Sequence, residues 1–178
     1  MAWTAPRTWT DGELVTAAIM QPHVRDNLRM TMHTLARKTA DETVNNSSTL
    51  QNDDHLSFSV DVSEVWLVQA WLMCDSASAA DIKFGWTVPA SATISWGFNS
   101  NAGGVASWAG DNLTALATTG SLNASTSAAA TIQGIGLVGI VAVAGTAGTV
   151  QLQWAQVTPT VADTKVRTNS ALVGCRLA

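Results

Sequence analysis

Ile82-Lys83-Phe84-Gly85-Trp86-Thr87-Val88, followed by Ile94-Ser95-Trp96-Gly97-Phe98, decides the fold class of this chain. In both stretches a large apolar residue recurs at every second position, with a small or polar residue between. A β-strand turns successive side chains to opposite faces, so the alternation builds a sheet with one apolar face. Pro89-Ala90-Ser91 lies between the two stretches as a tight link, because proline presets a turn dihedral and donates no ladder hydrogen bond. Val150-Gln151-Leu152-Gln153-Trp154 repeats the pattern, and Ala171, Val173, Cys175 and Leu177 alternate with Leu172, Gly174 and Arg176 in a last strand.

Two further runs lack the alternation. Residues 65–73 and 134–143 are almost continuously apolar, the pattern of strands covered on both faces. Gln51-Asn52-Asp53-Asp54 reads as a turn, and Ala144-Gly145-Thr146-Ala147-Gly148 as a hairpin-like connection. Residues 99–130 are rich in Ser, Thr, Ala, Gly and Asn; Leu113 and Leu116 mark a weak strand there, and the rest reads as long loops. About eight to ten short strands with no helix between them predict an all-β fold, a jelly-roll-like antiparallel β-sandwich over 43–178.

Charge separates this domain from what precedes it. Residues 1–42 carry Arg7, Asp11, Glu13, Arg25, Asp26, Arg29, Arg37, Lys38, Asp41 and Glu42, whereas between Phe84 and Ala162 the sole charge is Asp111. The first 42 residues are therefore expected to form an N-terminal anchoring unit: an extended arm, held open by Pro6, and one α-helix. Thr16 is a plausible N-cap, with Pro22 kinking or restarting the helix. From 22 to 38, Val24, Leu28, Met32 and Leu35 fall on one apolar stripe. A stripe this narrow can pack on the sandwich, pair with copies of itself, or dock on another protein.

Composition narrows the function classes. Charged residues make up 12% of the chain and hydrophobic ones 47%, so a free monomer has few charges to solvate its surface. The chain is expected to cover much of that surface by closed self-association, as a homotrimer burying Ala171, Val173, Cys175 and Leu177. A net charge of −4 with no Lys/Arg run argues against a nucleic-acid partner. The longest apolar stretch is interrupted by Gly136 and Gly139 and is too short for a membrane span. The N-terminus lacks a cationic-then-apolar signal pattern, which predicts a chain that is soluble and cytoplasmic at synthesis. Cys74 and Cys175 sit in apolar runs and read as buried thiols.

Catalytic signatures are weak. His23 and His33 stand ten residues apart along the expected helix, which is not metal-ligand spacing. Asp53, Asp54 and His55 offer a candidate cation trio, but a surface turn with Asx hydrogen bonds is the favoured reading; substitution there is expected to cost at most about 1 kcal/mol. Gly134-Ile135-Gly136-Leu137-Val138-Gly139 spells a dinucleotide fingerprint, yet a strand pattern continues where a helix would have to open. No catalytic residue, metal or cofactor is expected. Of eight Trp, Trp86, Trp96 and Trp154 read as core, with a sugar-binding face the sharper alternative. Trp3 and Trp9 read as anchors for a partner, with Pro6, Arg7 and Leu14 around them.

The opening carries a resemblance. Trp3, Thr4, Pro6 and Trp9, then Val15-Thr16-Ala17, then His23-Val24-Arg25-Asp26-Asn27 resemble the N-terminal segment of virion proteins of tailed bacteriophages infecting actinobacteria. The stretches 41–54 and 150–156 look like the domain of the same family. The resemblance implies a non-enzymatic virion protein. Its leading form is a capsid decoration (cement or minor capsid) protein docked on the major capsid protein through its arm. A minor tail or tail-fibre protein docked on tail proteins is the alternative, and a carbohydrate-binding host-recognition module or a cell-wall hydrolase stands further off.

Overall fold

A computed structural model of the chain describes residues 4–5, 7–28, 33–100, 122–124 and 131–178, with backbone alone at 98–100 and 122–124. The fold is an all-β antiparallel sandwich. Its strands are β1 (His33–Arg37), β2 (Glu42–Val44), β3 (Gln51–Val60), β4 (Val65–Asp75), β5 (Ile82–Thr87) and β6 (Thr93–Ser100). They continue with β7 (Leu122–Ala124), β8 (Gln133–Ala142), β9 (Gly148–Gln156), β10 (Thr164–Val166) and β11 (Ala171–Arg176).

The larger sheet is centred on β4. One edge of β4 pairs with β8 from Val65↔Ala142 to Cys74↔Gln133, and β8 pairs in turn with β6. The other edge is long enough for two shorter partners end to end: β11, which carries β1, and β10, which carries β2. The smaller sheet runs β3-β9-β5-β7. From β3 to β10 each successive strand lies in the other sheet. The link at Pro89, closed by the Ala92 N–H bond to the Pro89 carbonyl at 3.0 Å with Ser91 at positive φ, therefore crosses between layers. The Ala144–Gly148 connection crosses too, instead of closing the expected hairpin, because β8 and β9 do not pair.

The inward positions of both sheets interlock. Val68, Ala70, Leu72, Ile135, Leu137 and Val141 from the larger sheet meet Leu56, Ile82, Phe84, Val150, Leu152 and Trp154 from the smaller. Trp86 and Trp96 pack edge to face at 6.2 Å, and Phe58 tilts on Trp66 at 5.2 Å. Gly174 sits under the Phe58 ring, where a Cβ would come within 2.9 Å of Cζ, so the strand needs glycine there. The three tryptophans read as core are core.

Three expectations are corrected. The helix does not run from 22 to 38. A short α-helix, α1 (Ala17–Met20), follows an extended Thr16 whose side chain makes no cap bond. It widens into a π-helical turn (Gln21–Asp26) at Pro22, which has no N–H for an α-helical bond. Helical backbone ends at Leu28 among the described residues, and Leu35 lies on β1, paired with Val173. Long-range pairing with β11 overrides the local stripe, so Val24, Leu28 and Leu35 do not share a helix face; Met32 lies outside the described residues. The sandwich consequently takes in 33–42, which the charge pattern assigns to the arm. Finally, residues 51–54 open β3 instead of forming a turn, and the irregularity in their pairing, between Asn52 and Ser57, turns Asp53 inward.

Candidate functional site

The outward positions of the larger sheet form a grid that the registers fix. One row reads His33, Cys175, Leu67, Ile140 and Ser95 across β1, β11, β4, β8 and β6. The next reads Leu35, Val173, Gln69, Val138 and Gly97. Arg37, Ala171, Trp71 and Gly136 follow, then Met73 beside Gly134. Leu35 is 75% exposed and Trp71 64%, with Met73, Val138 and Ile140 also exposed. Apart from the Cys175 thiol, titratable groups in these rows are confined to His33 and Arg37 on the β1 edge. Beyond Met73 the field ends at Asp75, held bidentate by Arg167 at 2.9 and 2.8 Å, with Asp41 bonded to the same guanidinium.

This face gathers three of the residues singled out from sequence, Ala171, Val173 and Cys175, and adds Leu35 to them. Leu177 lies past the strand, exposed, with its N–H on the Val65 carbonyl. Trp71, Met73, Val138 and Ile140 escaped attention, although the near-continuous apolar runs that hold them were the available signal. Those runs are covered on their inner face alone in the single chain.

The arm folds on itself. The Asn27 amide bonds both the N–H and the carbonyl of Thr4, at 3.1 and 2.8 Å. Arg7 pairs with Glu13 and lies 5.5 Å from the Trp9 ring, so its charge is already met within the chain. Trp9 and Leu14 are exposed. Trp3 and Pro6 lie outside the described residues. A cavity of about 700 Å³ opens beneath the helical turn, between Arg25, Leu28 and His33 on one side and Ser59, Trp66 and Arg176 on the other; Arg176 there pairs with Glu64 at 2.9 Å.

Inside the sandwich lies a polar cluster. Lys38, fully buried just past β1, places Nζ 2.6 Å from Asp53 Oδ2 and 2.8 Å from Glu42 Oε2. Asp53 is fully buried as well; its Oδ1 accepts the N–H groups of His55 and Leu56, and its Oδ2 that of the Trp154 indole. Glu42, Asp53 and His55 bring ligand-type atoms within 4.8 Å of one another, but the Lys38 ammonium already supplies the carboxylates with a cation. Asp54 does not join them and stays exposed. Sequence alone offered no route to Lys38, which stood only as one of the charges of the first 42 residues.

Both cysteines are free. Burial, and then the nearby Asp75 and Asp53 carboxylates, push the Cys74 thiol far above its ordinary range, which keeps it protonated and unreactive. No helix among the described residues is long and apolar enough to cross a membrane. No protein-family model matches the chain, and no curated protein matches it.

Proposed function

We propose that the chain is a non-enzymatic structural protein that assembles with copies of itself through the outer face of the larger sheet, as a subunit of a tailed-phage virion. The observation that carries the assembly is the apolar grid around Trp71, Val138 and Leu35, charged only at its β1 edge. Five strands spaced by about 4.8 Å, averaging about eight residues that rise about 3.3 Å each, make a face of roughly 600 Å². That is about three quarters of the 800 Å² or so that each partner contributes to a stable interface, and stands at the top of the range that solvated monomers leave bare. With hardly a charge on it, the face fits a surface that is equally neutral, and a second copy supplies one. The polar rim at Asp75, Arg167 and Asp41 gives that interface an edge.

The virion reading rests on the resemblance of the opening segment, with the major capsid protein as the partner and Trp9 and Leu14 as exposed apolar contacts on the arm. Sedimentation at micromolar concentration tests the assembly: a closed trimer is expected, and a monomer overturns it. Copy number in purified particles tests the virion reading. Decoration requires hundreds of copies; a handful moves the chain to the tail.

A further inference from the structure

We propose that Lys38 and Asp53 form an intramolecular amide cross-link, made by loss of water with Glu42 as general acid–base, that joins the two sheets covalently. The proposal does not depend on the assembly reading. Lys38 follows β1 of the larger sheet, whereas Asp53 lies in β3 of the smaller, so a bond between them staples one layer to the other.

The geometry supplies each part that amide formation needs. The amine and the carboxyl are both buried to zero exposure, so water competes neither for the nucleophile nor for the product. Nζ lies 2.6 Å from Oδ2, which puts it beside Cγ of the same carboxyl without any further search. The other carboxyl oxygen, Oδ1, is held at 3.0 Å by the backbone N–H of His55 and at 3.0 Å by that of Leu56. Two fixed donors on that oxygen stabilise the negative charge that develops when nitrogen adds to carbon. Glu42 Oε2 stands 2.8 Å from Nζ, where it can take a proton. The Trp154 indole N–H, 3.1 Å from Oδ2, orients the departing oxygen.

The step balances. One ammonium proton passes from Nζ to Oδ2, which turns the ion pair into an amine beside a carboxylic acid. The Nζ lone pair then bonds to Cγ, and the π electron pair moves onto Oδ1 between its two N–H donors. A second proton goes from Nζ to Glu42 and from Glu42 to Oδ2. The Cγ–Oδ2 bond breaks, Oδ2 leaves as water, and the carbonyl re-forms. The third proton stays on the amide nitrogen, Glu42 ends as it began, and no oxidant, reductant or cofactor enters.

An ordinary buried ion pair would leave the same two residues in place with the chain's mass unchanged, so intact mass decides. The folded full-length protein is expected to be one water lighter than its sequence requires. Trypsin is expected not to cut after Lys38, and the peptides bearing Lys38 and Asp53 should travel as one branched species. A full-mass protein that nevertheless unfolds cooperatively on heating overturns the proposal. Asp53→Asn sharpens the test, since the same attack on an amide expels ammonia instead of water, and the mass deficit should change accordingly. Glu42→Gln keeps the shape but cannot carry the proton, and is expected to stay at full mass; a Glu42→Gln chain that cross-links as completely as the native one overturns the acid–base assignment.

Discussion

On the smaller sheet the outward side chains of β9 are Thr149, Gln151 and Gln153; on the larger sheet those of β4 are Leu67, Gln69, Trp71 and Met73. The first face satisfies itself. Thr87 and Gln153 both donate to the Asn52 side chain at 2.9 Å, and Gln151 donates to the Asp53 carbonyl. Such a face is content in water. The second face has few polar atoms to offer and a wide apolar field whose inner side is already packed. Both sheets line one core with their inner faces, so the difference between the outer faces is not needed for folding. It concerns what lies outside the chain.

The comparison breaks first where the two sheets are joined. Removing one partner of a buried ion pair leaves an uncompensated charge in the core, which costs about 3–5 kcal/mol. Lys38→Met is expected to destabilise by at least that much, because it removes the proposed amide to Asp53 and leaves two buried carboxylates, Asp53 and Glu42, with no cation opposite them. Denaturant unfolding of Lys38→Met beside the native chain measures it. A loss below about 1 kcal/mol would restore the solvated-turn reading of Asp53.

Next comes the face itself. Trp71→Glu puts a charge at the centre of the apolar grid and is expected to weaken association by about 2 kcal/mol or more per protomer, as for an interface anchor. Because Trp71 is largely exposed in the single chain, thermal stability of the dissociated protein should move by no more than about 0.5 kcal/mol. Gln153→Glu on the opposite face is the matched control and should leave both sedimentation and unfolding where they are. If Gln153→Glu dissociates the assembly and Trp71→Glu does not, the two faces have been assigned the wrong way round.

A third substitution separates inside from outside on one strand. Gly174→Ala drives a Cβ against the Phe58 ring and is expected to cost about 1–3 kcal/mol of folding stability, since an overpacked core yields poorly. Its neighbour Val173 faces outward, so Val173→Ala should act on association instead. Unfolding midpoint and sedimentation, measured on both variants, should show opposite signatures.

The alternating stretches at 82–88 and 150–154 announced their strands because a period of two survives any partner. The runs at 65–73 and 134–143 announced strands too, and their lack of a polar phase was the trace of the apolar outer face. Leu35 misled because three residues of a spaced stripe fit a helix as well as they do, until β11 claims 33–37. Lys38 and Asp53 stayed illegible for a related reason. A lysine after a polar segment and an aspartate in an Asn-Asp-Asp-His block are solvated by default. Only the irregular pairing of β3 with β9, a long-range fact, turns Asp53 into the core.

The smallest effect lies at the rim of the apolar face and tests whether folding and association respond to the same groups. Asp41 is held below the ordinary carboxylate range, first by the Thr168 backbone N–H and then by the Arg167 guanidinium. A carboxyl whose folded value is depressed stabilises the fold above its unfolded value, near pH 4, and loses that contribution as pH falls through the lower folded value. The native chain should therefore lose thermal stability as pH falls below about 4, and Asp41→Asn, which has no charge to lose, should lose less of it over the same window. The two melting curves should converge at the acid end. Association should not follow them. The apolar grid itself holds no carboxylate, and its basic groups, His33 and Arg37, sit on one edge. If the folded fraction stays assembled down to the pH at which it unfolds, the face is held by apolar burial; if assembly is lost first, in step with Asp41, the salt-bridged rim carries more of the interface than the apolar field around Trp71.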